Sequence, residues 1–142
     1  MKARVQWLDG RAFVGESGSG HAVVMDGAPE AGGRNLGVRP MEMLLLGLGG
    51  CTAFDVVMIL EKAREKVTAL DIELEAERAD TEPKVFTKVK LIYKLRGYGL
   101  KPAMVERAIN LSAEKYCSAS IMIGKTAKIE HAWTITEEGP AA

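Results

Sequence analysis

Alternation of hydrophobic and polar residues predicts short β-strands in the first part of the chain. Ala3, Val5 and Trp7 share one face and the charged or polar residues between them share the other, which is the two-residue period of a half-buried strand. The predicted strands are residues 2–8, 11–15 and 21–26. We expect an N-terminal meander within residues 1–39, whose last part, residues 27–39, is a glycine-rich loop.

A long apolar run predicts a central helix over residues 40–66. Pro40 suits its first turn, where a missing N–H costs nothing, and the run is apolar on nearly every side. Such a helix must be covered all round, either by a sheet and another helix or by a second subunit. Gly47, Gly49 and Gly50 would destabilise a helix by about 1 kcal/mol each relative to alanine. Either some backbone approaches closely there, or the helix is broken.

Strict alternation predicts a β-hairpin over residues 67–96 with a turn at 79–84. The first strand places acidic residues on its outer face and the second places lysines there, so cross-strand pairs of opposite charge support the register. We interpret these charges as a solvated sheet face. The acidic positions are Asp71, Glu73, Glu75 and Glu77, and the basic positions are Lys88, Lys90 and Lys94.

Residues 97–136 predict a second helix from Pro102, a turn at Cys117 and a last strand. The helical stripe is Val105, Ala108, Ile109, Ser112 and Tyr116, and the strand face is Ile129, His131, Trp133 and Ile135. An apolar run at 121–123 and a turn at Gly124 lie between the two elements. This order favours a single α+β domain over residues 1–142, with mainly antiparallel sheet around the long apolar helix.

Composition excludes several functional classes. With 142 residues, 47% of them hydrophobic and 27% charged, the chain is an ordinary globular domain. Nineteen basic residues balance nineteen acidic ones, so no net field attracts nucleic acid or an anionic membrane. No signal peptide is recognisable, and Glu42 and Asp55 interrupt the apolar run. We therefore expect a cytoplasmic protein without nucleic-acid or membrane partners.

The sequence does not match the familiar cofactor-binding motifs. Gly124-Lys125-Thr126 lacks the glycine that a phosphate-binding loop needs at Ala119, and the glycines of the apolar helix do not follow a strand as a dinucleotide fingerprint would. His21 and His131 have no partner at metal-ligand spacing, and we interpret His131 as a core histidine. We expect neither a cofactor nor a metal.

The two cysteines, Cys51 and Cys117, offer two interpretations. If the helix breaks at the glycines, Cys51 lies near a helix N-terminus that would stabilise its thiolate and make it nucleophilic. Alternatively, both residues are small apolar members of the core, as free cysteines often are. Their spacing leaves both interpretations open.

Two segments resemble the OsmC/Ohr family of hydroperoxide-reducing proteins. They are RPMEMLLLGLGGCTAFDVVMILEK and AINLSAEKYCSASIMIG, separated by the hairpin. The specific features are Pro40 eleven residues before Cys51, the GGC within an apolar helix, and Ser-x-x-x-Tyr-Cys from Ser112 to Cys117. The resemblance implies an OsmC-like fold and an intertwined homodimer with sites at the subunit interface.

The same resemblance implies that a cysteine pair reduces organic hydroperoxides. Cys51 matches the peroxidatic cysteine and Cys117 the resolving one, their disulfide then being reduced by an external dithiol rather than by a cofactor. The chain departs from the family where a glutamate usually follows the proline, since Met41 occupies that place and Glu42 comes one residue late. The match is to a less characterised branch.

Other residues could adjust this chemistry. Arg39, with Glu42, is a candidate for positioning substrate or holding charge, and Arg34 and the more remote Arg11 are alternatives. Asp55 would repel a thiolate if it lay close, so we expect it to form a bond elsewhere. The rival hypothesis is a non-catalytic binding module or redox sensor for a small hydrophobic ligand on the same fold, and a third is a dimer with inert thiols.

Overall fold

The structure is a computed structural model, and it describes residues 1–139. It is an α+β chain with two three-stranded sheets and three α-helices in the described part. By its internal contacts the chain divides into two compact units, one of Met1–Leu46 and one from Gly47 onward.

The first unit contains the predicted meander. Its strands are β1 (Ala3–Asp9), β2 (Ala12–Ser17) and β3 (Ala22–Met25), paired antiparallel in that order. The loop that follows contains a short 3-10 turn, Pro29–Ala31, and an isolated bridge between Val38 and Met25. The buried carboxylate of Asp26 organises this loop, because it accepts backbone N–H groups of Gly27, Arg34 and Leu36 at 2.7 to 3.2 Å.

Helix α1 (Pro40–Lys62) runs unbroken through its three glycines. Of the two explanations for the glycines, close approach by a neighbouring group applies at Gly49. The neighbour is a side chain and not backbone, because a Cβ at Gly49 would lie 2.9 Å from Leu74 Cδ1. The predicted end at residue 66 is wrong. Arg64 adopts a left-handed φ of 61°, which a helix does not tolerate, and the next strand begins at Lys66.

By length and composition alone, α1 could also cross a membrane. The core helix of a soluble protein passes the same test, and α1 buries polar side chains, Thr52 and Asp55, along with its apolar ones. The expectation that the chain has no membrane partner stays a prediction.

The second unit is built on the predicted hairpin, β4 (Lys66–Arg78) and β5 (Phe86–Tyr98). The register pairs residues of opposite charge: Asp71 with Lys94, Glu75 with Lys90, and Glu77 with Lys88. Alternate residues of β5 form the core and are at most 2% exposed: Val89, Leu91, Tyr93 and Leu95. The hairpin prediction is therefore confirmed in both its elements and its charge pairing.

One strand pairing departs from the expected antiparallel sheet. The last strand, β6 (Lys128–Glu137), lies parallel to β5, with Leu91 opposite His131 and Tyr93 opposite Trp133. Parallel neighbours need a crossover connection, and here residues 99–127 provide it. The crossover holds α2 (Pro102–Leu111) and α3 (Ser118–Ile123).

The crossover also corrects the predicted second helix. Its α-helical part stops at Leu111, and a π-helical turn, Ser112–Tyr116, follows. The wider turn takes Tyr116 out of the predicted buried stripe, so that its side chain is 50% exposed. The apolar run at 121–123, which had no predicted structure, forms the end of α3.

Candidate functional site

Cys51 lies inside α1, about halfway along it. Because the helix is continuous, Cys51 does not occupy a helix N-terminus, and the thiolate stabilisation that a break at the glycines would have provided does not apply. Its side chain is partly exposed. Asp55, one turn further along, projects from the same face of the helix, since residues four apart are neighbours on a helix surface.

Cys117 reaches the site from the crossover. The π-helical turn ends at this residue, whose extended backbone (φ −79°, ψ 99°) separates the turn from α3. The side chain is fully buried. Its Sγ accepts the backbone N–H of Ser120 at 3.3 Å and lies 3.5 Å from the hydroxyl oxygen of the buried Thr52.

The structure brings Cys51, Cys117 and Asp55 together. One ligating atom from each residue lies within 4.8 Å of those of the other two, so this group could also hold a metal ion. Asp55 is buried, and the hydroxyl of Ser112 donates to its Oδ2 at 3.0 Å. The prediction that Asp55 forms a bond away from the thiols is therefore only half right. Its carboxylate does bond to Ser112, but it also lies close to both thiols.

The surroundings shift the pKa values of the two thiols in opposite directions. Burial raises the pKa of Cys51, and the charges of Cys117 and Asp55 raise it further. Burial would also raise the pKa of Cys117, but hydrogen bonds from Cys51, from Thr52 and from the Ser120 N–H outweigh it and lower that pKa. A single negative charge on the pair is therefore better held on Cys117.

Tyr93 and His131 form a polar pair in the sheet of the same unit. Their side chains meet at 2.7 Å between the phenol oxygen and His131 Nδ1. Burial raises the pKa of Tyr93, and the negative charge of Cys117 adds to the effect. Burial lowers the pKa of His131. His131 is hydrogen-bonded, as the interpretation of a satisfied core histidine requires, but it is only partly buried and does not belong to the core.

Arg39 and Glu42 make local contacts within the first unit. The Glu42 carboxylate accepts the backbone N–H of Arg39 at 2.8 Å, which is how an acidic residue caps the start of a helix. The Arg39 guanidinium donates to Asn35 Oδ1 at 2.7 Å and to the Gly37 carbonyl. The alternative Arg34 pairs with Asp9. That Arg39 or Glu42 acts on the reaction stays a prediction.

Sequence reasoning missed Thr52 and Ser112 as members of the site. A signal for Thr52 was present, because Thr52 and Asp55 are polar positions inside an apolar helix, and buried polar groups need partners. Ser112 was assigned only to the buried stripe of the second helix. Its bond to Asp55 depends on how that helix packs, which no local pattern records.

The two three-stranded sheets and three α-helices formed by residues 1–139, with two neighbouring cysteines, make this an α+β protein of OsmC-like fold. The chain belongs to the OsmC-like protein family, whose match covers residues 32–132. Protein YhfA of Escherichia coli K12 is 44% identical over 138 residues, which are 95% of this chain and 98% of that protein.

Solved structures share the fold. A hypothetical protein from Aquifex aeolicus VF5 superposes with a TM-score of 0.85 at 26% identity, covering 97% of both chains. An organic hydroperoxide resistance protein OsmC from Legionella pneumophila superposes with a TM-score of 0.69 at 16% identity, covering 94% of this chain and 95% of that one. The similarity to the Legionella pneumophila protein establishes only that the two share a fold.

Proposed function

We propose that the protein reduces organic hydroperoxides, with Cys51 as the nucleophile and Cys117 as the resolving thiol. The observation that carries this proposal is the meeting of the chain's two cysteines, distant in sequence, with sulfur atoms within 4.8 Å. Membership of a family with organic hydroperoxide resistance proteins among its structural neighbours adds support.

The division of charge between the thiols suggests the first step. The lowered pKa of Cys117 favours placing the first negative charge of the pair on this thiol, among its hydrogen-bond donors, and the raised pKa of the more exposed Cys51 favours its protonated form. As a hydroperoxide arrives, the Cys117 thiolate takes the proton of Cys51, and Cys51 Sγ attacks the terminal peroxide oxygen. The S–O bond forms, the O–O bond breaks, and the alkoxide takes the proton from Cys117 to leave as an alcohol. Cys51 is then a sulfenic acid.

The second step closes a disulfide. The Cys117 thiolate attacks the Cys51 sulfur, the S–O bond breaks, and the departing hydroxide takes a proton from solvent to become water. The sulfur atoms must close from within 4.8 Å to a bond of about 2.05 Å. An external dithiol then reduces this disulfide by two exchange steps, becomes a disulfide itself and restores both thiols.

The experiment that tests the function is a thiol count and intact mass of the reduced protein before and after one equivalent of cumene hydroperoxide. We expect loss of two thiols to one internal disulfide. Cys51→Ser should not react, and Cys117→Ser should stop at sulfenic acid or overoxidise. Two thiols left unreacted in the wild-type protein would overturn the proposal.

Turnover separates the enzyme from its rival, the redox sensor. With a dithiol reductant and excess hydroperoxide, an enzyme consumes many equivalents, whereas a sensor consumes one and stops. A wild-type protein that forms the disulfide once but is not recycled by any dithiol would favour the sensor.

We also propose that the protein is a homodimer. Large apolar side chains lie exposed on β1 and on α1, more than half exposed in most cases: Val5, Trp7, Leu8, Leu44, Leu46 and Phe54. Large exposed apolar side chains of this kind are typical of interaction sites. Sedimentation should give twice the chain mass, and Phe54→Glu should shift the protein toward the monomer. A wild-type protein that sediments as a monomer would overturn this assembly.

A further inference from the structure

The position of Asp55 is unfavourable if the site serves only thiol chemistry. It is a buried carboxylate beside two cysteines, and its charge raises the pKa of the Cys51 thiol. Three groups that would each repel the others' negative charge lie within 4.8 Å. A bound cation would turn this mutual repulsion into attraction, because a metal is the largest local charge at its site.

We propose that the reduced protein binds one Zn²⁺ through Cys51 Sγ, Cys117 Sγ and a carboxylate oxygen of Asp55. Two thiolates and a carboxylate are ligands that Zn²⁺ accepts, and three protein ligands leave its fourth position open. A tetrahedral zinc would hold these atoms about 3.5 to 3.8 Å apart. The observed separations, all within 4.8 Å, require only a small contraction.

The groups around the three ligands fit a metal site. Ser112 donates to Oδ2 of Asp55 and leaves Oδ1 available. The Ser120 N–H and the Thr52 hydroxyl hold the sulfur of Cys117. Outer hydrogen bonds of this kind orient metal ligands and are a regular part of metal sites.

The buried hydroxyl of Ser120, 4% exposed, lies beside Cys117 and helps to lower the pKa of that thiol. Ser120 follows the ligand Cys117 by one turn of α3, and a water on the open position of the metal is a group that could bond to it. The partly exposed Cys51 marks the side from which a metal ion enters.

This inference replaces the expectation that no residue binds metal. That expectation considered the histidines and local spacing, whereas Cys51 and Asp55 come from α1 and Cys117 comes from the crossover. Only the folded chain brings the three ligands together.

The test uses metal-free protein kept reduced by a phosphine, titrated with Co²⁺ and then with Zn²⁺. We expect one Co²⁺ per chain, thiolate-to-cobalt charge-transfer bands with the visible bands of four-coordinate cobalt, and loss of both when Zn²⁺ displaces it. Asp55→Asn can still accept from Ser112 and should bind Zn²⁺ at least about 10-fold more weakly. Glu61→Gln, which changes an exposed carboxylate of the same helix, should bind as the wild type does.

Cobalt spectra without sulfur bands, or equal zinc affinity in Asp55→Asn and wild type, would overturn the proposal. A second measurement needs no variant: Zn²⁺ should protect the thiols of the wild-type protein from alkylation, and unchanged alkylation would count against the site. Neither measurement involves a peroxide. If the protein binds zinc but does not reduce hydroperoxides, the zinc site is supported and the proposed enzymatic function is overturned. If it reduces hydroperoxides but does not bind zinc, the zinc site is overturned and the enzymatic function is supported.

Discussion

The β4–β5 hairpin and the Cys117 segment, residues 112–123, belong to the same compact unit, but different features of the chain determine their structures. In the hairpin, buried side chains of β5 alternate with exposed or partly exposed ones, and three pairs of opposite charge face each other across the two strands. In the Cys117 segment, a π-helical turn, an extended residue and a short helix follow one another. Regular periodicity therefore determines the hairpin, whereas contacts with α1 hold the Cys117 segment.

The difference shows where function lies on this fold. The hairpin derives its stability from a row of buried side chains and contributes neither cysteine. The irregular segment contributes Cys117 and the buried hydroxyls that bond to its partners. Substitutions in the hairpin should therefore change stability, and substitutions around the segment should change thiol chemistry as well.

The largest effect on stability is expected from Leu91→Ala in the hairpin core. Leu91 is fully buried, and truncating a buried leucine costs about 2 to 5 kcal/mol through lost transfer energy and a residual cavity. Urea denaturation measures the free energy of unfolding. The alkylation rate of the folded variant should match that of the wild type, and a changed rate would contradict the separation of the two regions.

A smaller loss is expected from Ser112→Ala at the start of the Cys117 segment. This change leaves the buried carboxylate of Asp55 without its 3.0 Å hydrogen bond, and a bond to a charged group contributes about 1.5 to 3 kcal/mol. Unlike Leu91→Ala, it should also change the thiol alkylation rate. A variant with full stability and an unchanged rate would mean that the bond does not hold the segment.

Asp55→Asn should change reactivity more than stability in metal-free protein. Removing the negative charge beside Cys51 favours its thiolate, so its pKa should fall. The pH profile of alkylation, read by mass spectrometry at Cys51, should move to lower pH, with a several-fold faster reaction at neutral pH. A profile that stays in place or moves to higher pH would show that the carboxylate does not act on this thiol.

The smallest effect is expected from Glu73→Gln on the outer face of the hairpin. Glu73 and Lys94 form an ion pair at 2.6 Å, but both side chains are about half exposed. Exposed pairs contribute little, and salt screens them. The melting temperature should change less than in any variant above, and the difference should vanish at high salt. A large decrease in melting temperature that persists at high salt would contradict the interpretation of this charged face as merely solvated.

The regular parts of the fold could be predicted from local pattern, and the site could be predicted only in part. Alternation located both hairpin strands, and the apolar run located α1. Cys51 and Cys117 were identified through resemblance and not through spacing, since neither residue has a reactive partner nearby in sequence. Their proximity to Asp55 is a long-range property of the fold.

Two errors have physical reasons of the same kind. The predicted end of α1 at residue 66 was wrong because Arg64 takes a left-handed conformation that is usually signalled by glycine or asparagine. The predicted position of Tyr116 in the buried stripe was wrong because a π-helical turn replaces the α-helical repeat. Both departures depend on packing that local composition does not encode.

The parallel pairing of β5 and β6 has a consequence for the order in which the molecule folds. Val89 meets Ala76 across a short turn in the hairpin but meets Ile129 only across the whole crossover. Distant pairings cost more loop-closure entropy and form more slowly. Because Cys117 lies within that crossover, we expect the two thiols to meet among the last events of folding, long after a nascent chain has exposed Cys51.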